Sequence, residues 1–342
     1  MRIRRLFLIL LCCVSLMVGC NGAGVQAAAT STASVRATNT VLPTVAIPPT
    51  TTTVSHTQTA PATTATLALP LVQTSPPTVT PYPVIRFAVI GDFGTGGQPE
   101  ADVAALVNSW QPDFVVTTGD NNYPDGAAQT IDATIGQFYH SYIYPYRGAY
   151  GEGADMNHFF PSLGNHDWNT SAAQPYLDYL TLPGNERYYD FIWGPLHLFS
   201  LDSDSREPDG VGQSSTQAAW LQARLASSTS PWNVVYFHHA PYSSGQHGST
   251  LWARWPYKEW GASVVLAGHD HTYERLLVDG IPYFVNGLGG GSIYQFGAPL
   301  PESQARYNAD YGAMLVQASD SSLIFQLFNR QNALIDTYTI NK

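Results

Sequence analysis

Cysteine is nearly absent from this chain of 342 residues, which has three. All of them, Cys12, Cys13 and Cys20, fall in the opening segment, so everything after it has no pair to oxidise. That excludes a disulfide-built scaffold and leaves any metal site to oxygen and nitrogen donors. Charge is scarce as well, at 12% of residues, and acidic on balance, with a formal net charge of −10. A nucleic-acid-binding surface would be basic, so that class is set aside. A phosphate substrate is not, because bound cations would reverse the local field. Long apolar runs are missing too: residues 6–18 are apolar but too few for an ordinary membrane span. No internal repeat suggests a solenoid.

What the N-terminal part does contain reads as export. Arg2, Arg4 and Arg5 precede the apolar run, which is the build of a secretory signal. The segment closes Met17-Val18-Gly19-Cys20 and resembles a bacterial lipoprotein cleavage box, whose cysteine becomes the lipidated first residue. A plain signal peptide cut near residues 27–29 is the alternative. Arg4-Arg5-Leu6-Phe7-Leu8 also resembles part of a twin-arginine signal, without its usual flanking residues. Residues 21–83 are mainly Thr, Ala, Pro, Val and Ser, and Arg36 is their only formally charged side chain. Such a composition cannot bury enough apolar surface to offset its ordering entropy. The expectation is therefore a signal segment at 1–20, a disordered stalk at 21–83 and a globular domain at 84–342. The stalk would lift that domain off a membrane at the cell surface, held by a lipid anchor at Cys20.

Residues 262–275, ASVVLAGHDHTYER, organise the domain. Val264, Val265 and Leu266 read as a strand buried on both faces. Just past it stand His269 and His271, two apart and so able to face one point. Neutral imidazole is a transition-metal ligand, although a lone His-x-His also suits a surface loop. Upstream, four more strand ends carry polar residues. Strand 85–90 runs into Gly91-Asp92-Phe93-Gly94, and strand 113–118 into Gly119-Asp120-Asn121-Asn122-Tyr123. Strand 158–163 runs into Gly164-Asn165-His166-Asp167, and strand 232–237 into His238-His239-Ala240-Pro241. Helices are expected from Pro99, over 127–142 and over 216–226, with a hairpin at 187–201 and, from Tyr273 onward, strands at 273–278, 281–286, 313–318, 323–328 and 333–340.

Each cluster alone has a plain reading. Asp92 and Asp120 suit helix caps or turns, Asn165 a turn, and a histidine at 238 or 239 a hydrogen-bonded core position. Together they place carboxylates, an amide, imidazoles and a phenol at one sheet edge, where ligands of such folds bind. That is enough oxygen and nitrogen for two metal ions.

In order and spacing these motifs resemble the five motifs of calcineurin-like metallophosphoesterases. Tyr123, three residues after Asp120, and the run GHDHTYER are similar to the purple acid phosphatase branch. The resemblance covers residues 85–286. It implies an α+β fold of four layers, α-β-β-α, with two mixed β-sheets flanked by helices. It implies two metal ions, with Asp92, Tyr123 and His271 on a ferric ion and Asn165, His239 and His269 on a divalent iron, zinc or manganese. Asp120 would bridge them. His239 is chosen because the family's ligand stands two residues before a proline, here Pro241, and His238 is then expected to face the other way. His166 would bind a phosphate oxygen or protonate the leaving group. His247 resembles a second substrate histidine, with slightly different spacing; a solvated loop residue is its plainer reading.

Two cations roughly 3.5–4 Å apart can clamp a phosphoryl group, and water beside such charge deprotonates near neutrality. The resemblance thus implies a secreted or surface-tethered phosphatase that hydrolyses small phosphomonoesters by metal-bound hydroxide, of acid phosphatase type. A phosphodiesterase or nucleotidase on the same site is one alternative. A non-catalytic metal-binding surface module is another, although such a module would be expected to have lost ligands and none is missing here.

Overall fold

The computed structural model describes residues 82–342. The signal segment, the Cys20 anchor and nearly all of the stalk lie outside the described residues. Among the described residues the first strand begins at Ile85.

Two mixed sheets form the centre. The first contains β1 (Ile85–Ile90), β2 (Phe114–Thr117), β3 (Phe159–Pro161), β11 (Gly312–Ala318), β12 (Ser322–Asn329) and β13 (Leu334–Asn341), in the order β13-β12-β11-β1-β2-β3. Its β1, β2 and β3 run parallel and the other pairs antiparallel. The second contains β4 (Tyr189–Trp193), β5 (Leu196–Ser200), β6 (Trp232–His239), β7 (Val264–Gly268), β8 (Tyr273–Val278), β9 (Ile281–Asn286) and β10 (Ser303–Tyr307), in the order β10-β8-β9-β7-β6-β5-β4. Here β5, β6, β7 and β9 are parallel neighbours.

Side-chain alternation along the second sheet builds the layers. Leu198, Val234, Tyr236, Val264 and Leu266 join Phe87, Val89, Phe114 and Phe325 of the first sheet in one buried cluster. Their neighbours Phe199, Val235, Phe237, Val265 and Ala267 point the opposite way into a second cluster. Helix α4 (Thr216–Ser227) covers that outer face with Ala218, Leu221 and Leu225, and α5 (Tyr257–Trp260) adds Tyr257. Ser215 caps α4 by accepting the Ala218 N–H at 3.1 Å. On the first sheet α1 (Gln98–Trp110) buries Val103, Ala104, Leu106, Val107 and Trp110, and the short α3 (Gln174–Tyr179) buries Pro175 and Tyr176. Each fully buried Val, Leu or Phe contributes about 1.5–3 kcal/mol of transfer free energy. The result is the expected α+β four-layer arrangement.

Two expectations need correction. Residues 127–142 are not one helix but a turn, a π-helical turn at Asp132–Gly136, the short α2 (Gln137–Tyr139) and a 3₁₀ turn at His140–Tyr142. The Thr134 hydroxyl bonds back to the Thr130 carbonyl, 3.3 Å, and Asp132 turns aside to Tyr146 and Tyr179, both 2.7 Å; both pull against a regular helix. Strand β10 was not anticipated.

Candidate metal centre

The functional side chains come from the C-terminal ends of β1, β2, β3, β6 and β7. Three of them leave their strand with left-handed backbone: Asp92 at φ 54°, Asp120 at φ 53° and His269 at φ 71°. Such angles are uncommon for residues other than glycine and gather at functional sites. The turns are also tightly seated. A Cβ on Gly164 would lie 2.3 Å from Asp120 Oδ1.

Two groups of donor atoms result. In the first, the Tyr123 hydroxyl lies 3.0 Å from Asp120 Oδ2, 3.4 Å from Asp92 Oδ1 and 3.0 Å from His271 Nε2, and His271 Nε2 is 3.4 Å from Asp92 Oδ1. In the second, His238 Nε2 lies 3.4 Å from Asp120 Oδ2, 3.0 Å from Asn165 Oδ1 and 3.1 Å from His269 Nδ1. Asp120 Oδ2 belongs to both. The first sheet supplies the acids, the phenol and the amide, and the second supplies the imidazoles.

The fourth motif brings both of its histidines to the site. His238 points in on the face that Val234 and Tyr236 turn toward the first sheet. Between Tyr236 and His239 the register of β6 against β7 shifts, so simple alternation does not carry on to His239. His238 Nδ1 donates to the Thr118 carbonyl, 2.8 Å, which leaves Nε2 with a lone pair toward the donors. His271 is set in the same way by Ser292 O at 2.7 Å. A second hydrogen bond of this kind is the usual support of a ligating histidine. His239 is set likewise by the Ser203 hydroxyl, 2.9 Å from its Nδ1, and its ring stands 4.5 Å from that of His269. One nitrogen each of His238, His239 and His269 lies within 4.8 Å of the other two, so His239 belongs to the second donor group.

The electrostatics fit cations. Burial penalises the Asp92 carboxylate, and contacts with His271 and His238 outweigh it, holding its pKa low. Burial works against a charged His238, yet Asp120 and Asp92 raise its pKa. Burial and then neighbouring histidines depress His269, and burial likewise pushes His239 down to about 3. Burial, with Asp92 and Asp120, pushes the Tyr123 phenol far up. Crowded carboxylates, neutral imidazoles and a phenol at these separations suit bound cations, which would relieve the repulsion.

The remaining predicted residues lie at the rim. His166 donates its backbone N–H to Asp120 Oδ1, 2.9 Å, and its Nδ1–H to Pro124 O; its Nε2 is 3.9 Å from Asp120 Oδ2. With Thr95, Tyr123, His271, Gly291, Ser292 and Tyr294 it lines a cleft of about 260 Å³. His247 is exposed and stacks on His269 at 4.2 Å.

Several supporting residues were not singled out from sequence. Buried Asp167 accepts the Gly164 N–H at 2.9 Å and the Asn121 side-chain amide at 2.9 Å, tying the second and third motifs together. Burial, then the Asp120 charge, pushes its pKa up to about 7. Arg206 donates to the Asn165 carbonyl, 2.9 Å, while paired with Asp204 at 2.7 Å. Tyr294 lies flat on His271, 4.1 Å apart and 6° from parallel. Asp167 was legible as the last residue of GNHD; the other two were not.

Comparison with known proteins agrees with this geometry. Tartrate-resistant acid phosphatase type 5 of Mus musculus is 24% identical over 249 residues, covering 61% of this chain and 73% of that protein. Purple acid phosphatase 17 of Arabidopsis thaliana is 26% identical over 244 residues, covering 61% and 68%. The fold is similar to that of a purple acid phosphatase from yellow lupin (Lupinus luteus) seeds, with a TM-score of 0.61 and 18% identity, over 76% of this chain and 54% of that one. The chain thus spans about half of the lupin protein. Residues 85–273, more than half of the chain, match the family model for calcineurin-like phosphoesterase, and the chain belongs to that family.

Proposed function

We propose that this metal-dependent phosphoester hydrolase is a phosphomonoesterase of the acid phosphatase type, working with a ferric ion and a divalent iron, zinc or manganese ion. The observation that carries the reading is the pair of donor groups sharing Asp120 Oδ2, the first of which reaches an open cleft through Tyr123 and His271. Asp92, Tyr123 and His271 would hold one ion, Asn165, His239 and His269 the other, and Asp120 both, with His238 packed beside Asp120 and His269. When bound, the ions supply positive charge for a phosphoryl group and acidify water. The protein's own part is position. Pro124 O fixes the protonated nitrogen of His166, so that its Nε2 faces the cleft, where it can hold a proton for the departing alkoxide. His247 presents its ring to His269 and Tyr294. The named relatives are acid phosphatases, which favours the monoester over the diester.

Rates on a phosphomonoester and on a diester, measured with metal analysis of the same sample, test the proposal. Monoester turnover exceeding diester turnover with two metals per chain is expected. A faster diester would make the protein a diesterase, and metal without turnover would make it a binding module.

We further propose export, from the sequence of residues 1–20, with surface tethering through Cys20 and the stalk. Cys20→Ser should release the protein from membrane fractions into solution. Unchanged membrane retention would remove the anchor.

A further inference from the structure

We propose that Asp270, between His269 and His271, is a positioning residue that holds His247 over the metal centre and so sets how the phosphate ester is gripped. The proposal rests on the hydrolase reading above. Asp270 is fully buried and supplies no atom to either donor group. Its carboxylate accepts the Ser243 hydroxyl at 2.5 Å, the His247 N–H at 2.7 Å and the Gly248 N–H at 3.2 Å. Every one of these partners lies in the single loop 243–248. The approach is close, since a Cβ on Gly245 would lie 2.3 Å from the Asp270 carboxyl carbon.

A second buried carboxylate works on the same loop. Glu274 accepts the Ser244 N–H at 2.6 Å and the Ser244 hydroxyl at 2.7 Å. From the other side, the Gly297 N–H donates to Ser244 O at 2.8 Å and the Leu300 N–H to Ser244 Oγ at 2.9 Å. A buried carboxylate is costly unless its lone pairs are met, and here the loop's N–H and O–H groups meet them. The loop ends at an imidazole that no core packing holds. The His247 ring is exposed, 4.2 Å from His269 and 5.4 Å from Tyr294. Its location is set by its backbone, and its backbone N–H is given to Asp270. The ligand turn and the substrate-facing loop are therefore one hydrogen-bonded unit.

The test is a double-mutant cycle on the full-length protein, with p-nitrophenyl phosphate as probe and metal content measured for each variant. Asp270→Asn keeps the shape but replaces an acceptor that faces two donors. It should retain both metals and lose about tenfold in kcat/KM. In a His247→Ala background the same change should cost less than about twofold, because the residue it acts through is gone. Ser243→Ala, outside the ligand turn, should give a smaller loss that also vanishes in that background, and it decides the matter if Asp270→Asn does not fold. Costs that multiply, or loss of metal in Asp270→Asn, would overturn the proposal and leave the hydrolase reading standing. A His247→Ala enzyme at the wild-type rate would overturn it as well. Absence of turnover in the wild type would overturn both.

Discussion

A histidine holds a metal only through a nitrogen whose lone pair is free and aimed, and His238 and His239 both bring one nitrogen to the second donor group. His238 has its Nδ1 tied to a carbonyl and its Nε2 among Asp120, Asn165 and His269, and His239 has its Nδ1 at a serine hydroxyl. The proline two residues on assigns the ion to His239, so His239→Ala is expected to lose at least one metal equivalent and about 100-fold or more in kcat/KM, and His238→Ala to lose less of both. Metal analysis of the two variants decides it, and the reverse pattern would make His238 the ligand. The histidine pair and its proline were legible in sequence, whereas the register shift of β6 beside His239 was not. Tyr123 carries a different prediction. Its phenol is pushed up by burial and by two carboxylates, so only a strongly charged ion would bind it as phenolate. Iron-loaded protein should show a visible charge-transfer band that fades in Tyr123→Phe, with activity surviving in part on the remaining donors. An active, oxidised, iron-containing sample without colour would remove the tyrosinate.

At the scale of elements, what could be read was what obeys a period. The strands carrying ligands are apolar runs broken by Gly, and α1 follows Pro99 with its stripe of Val103, Leu106 and Val107. What could not be read depends on contacts distant in sequence. The segment 127–142 has an apolar helical pattern, but Asp132 is drawn to Tyr146 and Tyr179, from two later segments. Strand β10 is an edge of polar alternation, paired among the described residues only with β8. Element α1 also offers a pH test. Gly97 gives it no side-chain cap; Glu100 on its first turn accepts the Thr95 and Gly96 N–H groups at 2.8 and 2.6 Å instead. Burial pushes that carboxyl from 4.5 up to about 9. A raised carboxyl contributes stability that is full below the unfolded value and lost as pH rises toward the folded one. Wild-type protein should thus lose more melting temperature between pH 5 and 9 than Glu100→Gln does. Parallel curves for the two proteins would show that Glu100 ionises as readily in the fold as out of it.

At the scale of the whole domain, the metal centre joins two sheets that otherwise meet through apolar packing. Asp92, Asp120, Tyr123 and Asn165 follow strands of the first sheet, and His238, His239, His269 and His271 come from the second. Each donor group contains members from both, so no unfolded or half-opened chain can present either. An ion that binds only the closed form stabilises it by RT ln(1 + [L]/Kd), about 2.7 kcal/mol at a hundredfold excess over Kd. For a domain of this size 1 kcal/mol moves the melting temperature by about 2–4 °C, so full chelation should lower it by about 5–10 °C. Repulsion adds in the same direction, because removing the ions leaves Asp92 and Asp120 together in a buried site. Asp120→Asn should relieve that repulsion and forfeit the shared donor. Its melt should therefore respond much less to chelator than the wild type's, and its activity should be nearly gone. Melting curves of both proteins before and after chelation, with metal content measured on the same samples, provide the check. A wild-type domain that loses its metals without any fall in melting temperature would mean that the sheets hold the donors in place unaided, and the centre would then be a passenger on the fold.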